Sequence, residues 1–484
     1  MISNLSKLTN RNCSTIEILH YQKRYLFNWF GKKKEDTNQQ KQTTLGQFIS
    51  SNKSDLTNVF KWSQNKDQVK TVVYSLGQNS QGQLGLEDLR SEKEYTFNES
   101  FIPHSIKSIK SNLIHSAAFT NSNDLLTWGS NMYFQIGHKN ASTNSVFPSF
   151  VESSPHSVKV GSGFNKSQII DYALGAWSCF VLVKSGDDLK YTDVYCWGNN
   201  RFGQLALSSQ YNLQSPTKIN RLSFRPALEP NENIIKVTSG LFHSHFLSNL
   251  GRVFSSGTLE NANPLAIHVN TSQSDSTPLQ VQSPTLATKL SKFKITDISA
   301  GCYHSIAIDQ NNCIYQWGKG KLKKTTKDHL FMTPYSPENC FKDNIQTMDT
   351  DITMYTNITD KIIQIESGDD LSLILTKSGK LFQLKPSSKE LIDITSSIPS
   401  QEKILKISLS ITHGGVIFEN SNQIYLWQLD DFTFEQSALK VHFSTLLPTN
   451  QPNKLFTHFP SDHIVKDLSL GPHFSHIVFE KKQT

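Results

Sequence analysis

The chain has 484 residues, of which 37% are hydrophobic and 18% charged, with 29 phenylalanines. That supplies the apolar mass for a large core of many short strands, in a chain long enough for two or three average domains unless the architecture is a closed β fold. The net charge of +7 is concentrated in residues 1–34, where Lys7, Arg11, Lys23, Arg24, Lys32, Lys33 and Lys34 face Glu17 alone, a net of +6 that leaves +1 for the rest. A near-neutral body argues against non-specific DNA binding, which depends on neutralising phosphates with Lys and Arg.

Residues 1–34 are also rich in Ser, Thr and Asn, and Ile16, Ile18, Leu19, Tyr25, Leu26, Phe27, Trp29 and Phe30 interleave with the basic residues. This is the character of a mitochondrial transit peptide, with a candidate cleavage point after Arg24. The alternative is an unstructured basic tail. Residues 35–68 are polar, with Gln39, Gln40 and Gln42 and the run Ser50 to Ser54, and read as a linker with one short helix near Leu56 to Trp62. No apolar run approaches the ~18 residues of a membrane-spanning helix. The six cysteines are Cys13, Cys179, Cys196, Cys302, Cys313 and Cys340, and none are spaced as C-x-x-C. They read as small buried hydrophobes in a reducing compartment. Cys302 and Cys313 fall where neighbouring strands would let them face each other. A zinc site using His304 lacks companions at ligand spacing.

From residue 69 to the end the sequence repeats itself. Val73-Tyr74-Ser75-Leu76-Gly77-Gln78-Asn79 leads to Gly82-Gln83-Leu84-Gly85. Leu125-Leu126-Thr127-Trp128-Gly129 leads to Gln135-Ile136-Gly137, and Val194-Tyr195-Cys196-Trp197-Gly198 leads to Gly203-Gln204-Leu205. A second signature precedes most copies, as in Ala300-Gly301-Cys302-Tyr303-His304-Ser305 and Ser239-Gly240-Leu241-Phe242-His243-Ser244. From the His position to the final Gly position is 14 residues for His115 to Gly129, His243 to Gly257 and His304 to Gly318. The spacing is again 14 from Leu371 to Lys385, where both marker residues are replaced. It is 15 from His413 to Gln428 and 20 from Ser178 to Gly198, where Ser185 to Lys190 form an insertion. A spacing that outlives its residues predicts a strand–turn–strand unit, each half alternating apolar and polar residues over about five positions. The glycines fall where a tight reversal needs positive φ. The last copy, Val465 to Phe479, is only a first half, and Val72 to Gly85 is the missing second half. Six internal units and this split one make seven, so strands from the two termini are expected to share one sheet and close a ring.

These two signatures resemble the repeats of the regulator-of-chromosome-condensation family, and the resemblance covers roughly residues 70 to 480. The copy at His243 has Ser256 where others have Trp, and the copies ending at Leu384-Lys385 and Trp427-Gln428 are degenerate. The resemblance implies an all-β fold, a seven-bladed β-propeller over 69–484 closed by pairing of N- and C-terminal strands. In character the chain is closest to the family's mitochondrial members.

Trp128, Trp197, Trp317 and Trp427 fall on inner-strand positions and are expected to pack between blades by their large buried area. His115, His243, His304 and His413 share one unit position, so in a propeller they point alike and lie far apart around the ring. They read as structural donors, as do the adjacent Ser116, Ser244, Ser305, Ser372 and Ser475, and not as a metal ring or a catalytic triad. No paired carboxylates, metal-ligand cluster or nucleophile signature appears, so no catalytic, cofactor or metal residue is assigned. Asp369-Asp370 and Asp430-Asp431 read as turn caps.

Insertions carry the candidate contacts, because loops on a rigid scaffold bear function. Residues 138 to 172 contain Gly161-Ser162-Gly163-Phe164-Asn165-Lys166-Ser167, which lacks phosphate-loop spacing. Residues 259 to 292 are rich in Ser, Thr, Gln and Pro and read as a mobile excursion. The third insertion, Lys319 to Asn357, opens with Lys319, Lys321, Lys323, Lys324 and Lys327. That cluster suits RNA or an acidic protein surface, against the plain reading of a solvated basic loop. Asp187 and Asp188, in the Ser185 to Lys190 insertion, are the remaining candidates.

The expected function is that of a non-catalytic interaction protein in mitochondria, in the matrix or on the matrix face of the inner membrane. The mitochondrial members that the chain resembles imply a scaffold or assembly factor in GTPase regulation or in ribosomal RNA and large-subunit maturation. The alternative is a guanine-nucleotide exchange factor for a small GTPase, in the cytoplasm or nucleus, for which the Gly186-Asp187-Asp188 hairpin is the one candidate wedge.

Overall fold

The computed structural model describes residues 70–138, 151–158, 168–186, 190–208, 211–259, 263–268, 280–318, 352–356, 358–386, 391–398, 400–419, 422–428 and 462–482. The leader, the linker, Lys319 to Lys327, Asp187, Asp188, Asp430-Asp431 and the Gly161 to Ser167 run lie outside them.

Seven small antiparallel sheets form the seven blades of a β-propeller. Blade one pairs Ile106–Ser111, His115–Thr120, Leu125–Ser130 and Val151–Ser157 in that order, and blades two to five repeat the pattern. Blade six has Ile404–Leu409, His413–Phe418 and Ile424–Gln428 among the described residues. Blade seven is made from both ends of the chain: His463–Leu470 and Phe474–Lys481 are followed across the sheet by Thr71–Gly77 and Glu92–Phe97. Val72 lies opposite Phe479, Tyr74 opposite Ile477 and Gly77 opposite Phe474, in unbroken register. The ring therefore closes as the split repeat required.

The His-to-Gly spacing is a cross-strand pair. His115 faces Gly129, His243 faces Gly257, His304 faces Gly318 and His413 faces Gln428 in the second-to-third-strand ladders. The same register places Ser178 opposite Gly198 despite the longer hairpin. Where the two marker residues are lost, Ser372 still pairs with Leu384, one step inside the Leu371 and Lys385 positions.

The expected alternation along the strands needs correction. The second and third strands of most blades are buried along their whole length instead of alternating with solvent. Each is covered on both faces by a neighbouring blade: Phe180 and Leu182 join Phe246 and Phe254 of blade three. Cys179, Val181 and Val183 turn the other way, onto Ala117 and Phe119 of blade one. The period of two thus selects which blade is touched, and the polar residues on these strands are buried too. The Gly that ends the third strand takes the positive φ expected of it and is also a point of close approach. Gly77 has φ 113°, and a Cβ there would stand 2.2 Å from the His473 carbonyl oxygen.

Cys302 and Cys313 do not face each other. Cys302 precedes the strand His304–Asp309 and Cys313 follows it, so the strand's length separates them. Cys179, Cys196, Cys302 and Cys313 are all free thiols, and the first three are buried.

Replacing Gly77 by Ala puts a Cβ into the backbone of the closing strand at positive φ, where non-Gly residues already cost on the order of 1–3 kcal/mol. We expect Gly77→Ala to lower unfolding free energy by about 3 kcal/mol in denaturant titration. A loss under roughly 0.5 kcal/mol, the usual range of neutral surface changes, would show that the closing sheet does not form as described.

Candidate functional site

The first strand of each blade lines the central axis, because neighbouring blades touch through these strands. Each runs toward a turn that ends in the His-Ser position, and these turns surround an open cavity of about 70 Å³ on the axis. Ser111, Ala176, Gly240, Gly301, Gly368, Ser410 and Pro472, one from each blade, all border it. The turns are stitched to one another: Ala176 N–H donates to the Gly240 carbonyl and Cys302 N–H to the Gly368 carbonyl, at 3.2 and 2.8 Å.

The repeated histidines sit just behind this rim and join blades. His243 Nε2 lies 3.0 Å from Ser305 Oγ of the next blade. His304 repeats the contact with Ser372 Oγ at 2.8 Å and adds the Asp369 carbonyl at 3.1 Å. His413 Nδ1 donates to the Pro472 carbonyl at 3.1 Å. His115 leans on the Ser178 backbone, with neither ring nitrogen at full hydrogen-bond geometry. Burial pushes these imidazoles down, to about 3 for His243 and His413 and about 4 for His115 and His304. They are neutral bridges at physiological pH.

A second inter-blade lock uses the tryptophans, which stand on the third strand from the axis and not on the innermost one. Trp128 Nε1 donates to the Gln83 carbonyl, Trp197 Nε1 to Gln135 and Trp317 Nε1 to Pro264, at 2.9, 2.9 and 2.8 Å. Each acceptor belongs to the loop after the third strand of the preceding blade. That loop is held by its own side chains: Asn79 Oδ1 accepts Leu84 N–H and Gln83 Oε1 accepts Gln81 N–H. Asn200 and Gln204 repeat both bonds. Where Ser256 replaces Trp, its hydroxyl still reaches the Gln204 carbonyl, at 3.5 Å. Trp427 instead lies over Gly414, where a Cβ would come within 2.4 Å of the ring.

Sequence reasoning missed a belt of charges on the innermost strands. Lys110 pairs with Asp171, Lys236 with Asp297 and Lys406 with Asp467, each pair crossing from one blade to the next. Asp467 also accepts Ile109 N–H at 3.0 Å, joining blade seven to blade one. Burial opposes the charge on Lys236, but Asp297, Glu366 and Asp171 together hold its pKa above the usual lysine value. Lys406 is raised in the same way by Asp467 and Glu366. The signal was present as Asp171, Lys236, Asp297, Lys406 and Asp467, one residue per repeat at one position. Its alternating sign hid it from a search for repeated identities.

The strands that lead to the two groups of candidate contacts end on opposite faces, and the groups themselves lie outside the described residues. The strand leading to the lysine run ends at Gly318, which pairs with His304 beside the axial cavity. The strand leading to Asp187 and Asp188 ends at Ser185, opposite Tyr191 at the far end of blade two. Among the described residues, no group of three or more His, Cys, Asp or Glu is arranged to hold a metal ion, and no helix is long and apolar enough to cross a membrane.

Residues 193–247 match the Regulator of chromosome condensation (RCC1) repeat. The propeller superimposes on yeast RCC1 (Prp20), solved bound to Kap60, with a TM-score of 0.60 at 16% identity, over 86% of this chain and 90% of that one. The chain carries an RCC1 repeat within a seven-bladed propeller of the yeast RCC1 fold. The matched repeat runs from the third strand of blade two to the second strand of blade three, so repeats and blades are out of phase, as the split closing blade demands. RUG3, a mitochondrial RCC1 domain-containing protein of Arabidopsis thaliana, is 25% identical over 313 residues, 63% of this chain and 59% of that protein. The human E3 ubiquitin-protein ligase HERC2 is 24% identical over 246 residues, 51% of this chain but 4% of its own length. The chain thus spans less than two thirds of these curated relatives.

The buried histidines predict a pH dependence. Each has a folded pKa below its unfolded value of about 6.5, so its contribution is complete above pH 6.5. It is lost as pH falls from there through the folded pKa, because the unfolded chain then binds the extra proton. Between pH 6.5 and about 4 each such histidine costs about 1.4 kcal/mol per pH unit. Thermal unfolding should show a flat Tm from pH 7 to 8 and a steep fall from pH 6.5 to 5. A Tm unchanged at pH 5 would mean that the imidazoles are already protonated in the native ring.

Proposed function

We infer that this RCC1-repeat propeller is a non-catalytic interaction protein of mitochondria, a scaffold or assembly factor in GTPase regulation or in ribosomal RNA and large-subunit maturation. The observation that carries the reading is the likeness to mitochondrial RUG3 over 63% of this chain. The acid-poor basic leader, the near-neutral body and the engagement of the repeated His-Ser positions in joining blades support it. In this reading the residues serve to hold a rigid disc, and partner contacts fall to the loops on its faces, with Lys319, Lys321, Lys323, Lys324 and Lys327 offered to RNA or to an acidic protein.

A second reading has a specific observation behind it. The yeast propeller Prp20p, 17% identical with a TM-score of 0.59, has binding properties to Gsp1p and histones. Guanine-nucleotide exchange on a small GTPase would use a projecting wedge, for which Asp187 and Asp188 remain the candidates.

The test is localisation followed by partner identity. A fluorescent fusion of the intact chain should enter mitochondria, and deletion of residues 1–34 should leave it outside. An intact chain in nucleus or cytosol refutes the mitochondrial reading. Purified protein that speeds nucleotide release from a mitochondrial GTPase would select the exchange reading, and co-purification with large-subunit precursors from isolated organelles would select the assembly reading.

A further inference from the structure

The innermost strand of every blade opens with a β-bulge. The register slips between Ile106 and Ser108, between Ile169 and Asp171, between Ile234 and Lys236, and at the equivalent place in the other four. One residue per blade is thereby left unpaired and turned out of the ladder. In four blades that residue is a large aliphatic one. Ile170, Ile235, Ile363 and Leu405 are exposed at 38, 44, 46 and 45%, although each follows a buried Ile of the core. The strands carrying them ring the axis, so these side chains lie around it at the end opposite the axial cavity.

The same end is basic. The hairpins after the second strands bond to the residues that precede the first strands: Gln310 N–H to the Lys294 carbonyl, Lys377 N–H to Lys361 and Glu419 N–H to Lys403. Lys294, Lys361 and Lys377 therefore stand on this face, with Lys107 at the bulge of blade one. All four are exposed, and none has an acidic partner among the described residues. Of the nearby acids, Glu419 pairs with Lys403 and Glu480 with Lys466, while Asp124 and Asp360 accept hydrogen bonds from Ser122 Oγ and Ser378 N–H. Exposed apolar side chains around the axis, among exposed cations that lack ion pairs (Lys107 lies over the Phe119 ring), are what an acidic, apolar-anchored ligand requires.

We propose that the end of the ring bearing Ile170, Ile235, Ile363 and Leu405 docks an acidic protein segment that lays an apolar side chain against them, its carboxylates meeting Lys107, Lys294, Lys361 and Lys377. This deepens the interaction-protein reading and rests on it. It assigns the partner contact to the face away from the strand that leads to Lys319.

The test uses the full chain and labelled peptides in fluorescence anisotropy. One probe is Glu-Asp-Glu-Leu-Phe-Asp-Glu-Asp, a second has Ser in place of Leu and Phe, and a third is a basic counterpart. The first should bind, with at least tenfold weaker binding by the second and none by the third. Raising salt from 50 to 300 mM should weaken the first markedly. The double variant Ile235→Asp/Leu405→Asp should lose at least tenfold. Lys361→Glu/Lys377→Glu, whose exposed side chains leave the fold alone, should lose a similar factor together with the salt dependence. Equal binding of the Leu-Phe and Ser peptides, or binding indifferent to the Lys variant, overturns the proposal. So does binding of single-stranded RNA or of phosphatidylserine vesicles through these residues in place of the peptide. Self-association abolished by Ile235→Asp/Leu405→Asp also overturns it, since the occupant would then be a second copy.

Discussion

The ring exists because Thr71–Gly77 pairs with Phe474–Lys481. That ladder supplies two strands of one blade from each end of the chain and leaves no gap between the first and last sheets. Every other inter-blade device presupposes it. Trp128 reaches the Gln83 carbonyl only because Gln83, near the start of the chain, is held in blade seven beside blade one. Asp467 meets Ile109 N–H for the same reason. An open arc of the same blades would expose the apolar faces of Val73 and Val478, which now pack against Ile106, Ala118 and Trp128. It would also leave two unpaired strand edges.

Three layers of contact act between neighbouring blades, at increasing distance from the axis. Innermost are ion pairs such as Lys236 with Asp297. Next come the imidazole bridges, such as His304 to Ser372. Farther out, indoles reach back into the preceding loop. The middle of each sheet is filled by aliphatic and aromatic side chains that alternate between the two adjoining blades. The charged layer adds little strength, because its lysines are a third to nearly half exposed and solvent screens such pairs. Its role fits register more than strength: a Lys facing an Asp specifies which blade may follow which.

Much of this architecture could be read from the chain. The constant distance from His115 to Gly129 and from His304 to Gly318 was a hairpin register, and register survives substitution because the backbone carries it. The split repeat announced closure for the same reason. What was hidden depended on three dimensions. The alternating Asp171, Lys236 and Asp297 have no shared identity to detect. The outward turn of Ile235 follows from a bulge, which a strict strand period does not reveal, although the adjacent apolar pairs Ile169-Ile170, Ile234-Ile235 and Ile362-Ile363 broke that period visibly. The close approach at Gly77 comes from a strand some four hundred positions away in sequence, beyond any local rule. The candidate contacts Asp187, Asp188 and the lysines from Lys319 to Lys327 stay at the level of sequence, and what is known of them is which face their flanking strands serve.

Closure by the two ends also imposes an order of events. Tyr74 and its neighbours are among the first residues of the ring to leave a ribosome, yet their partner strand is among the last. Throughout synthesis that early segment has one edge without a mate, and the blades made after it must stack before the hoop can be fastened. Anything that sequesters this waiting strand, whether a chaperone or a mispairing with another nascent copy, acts on the ring before it is whole.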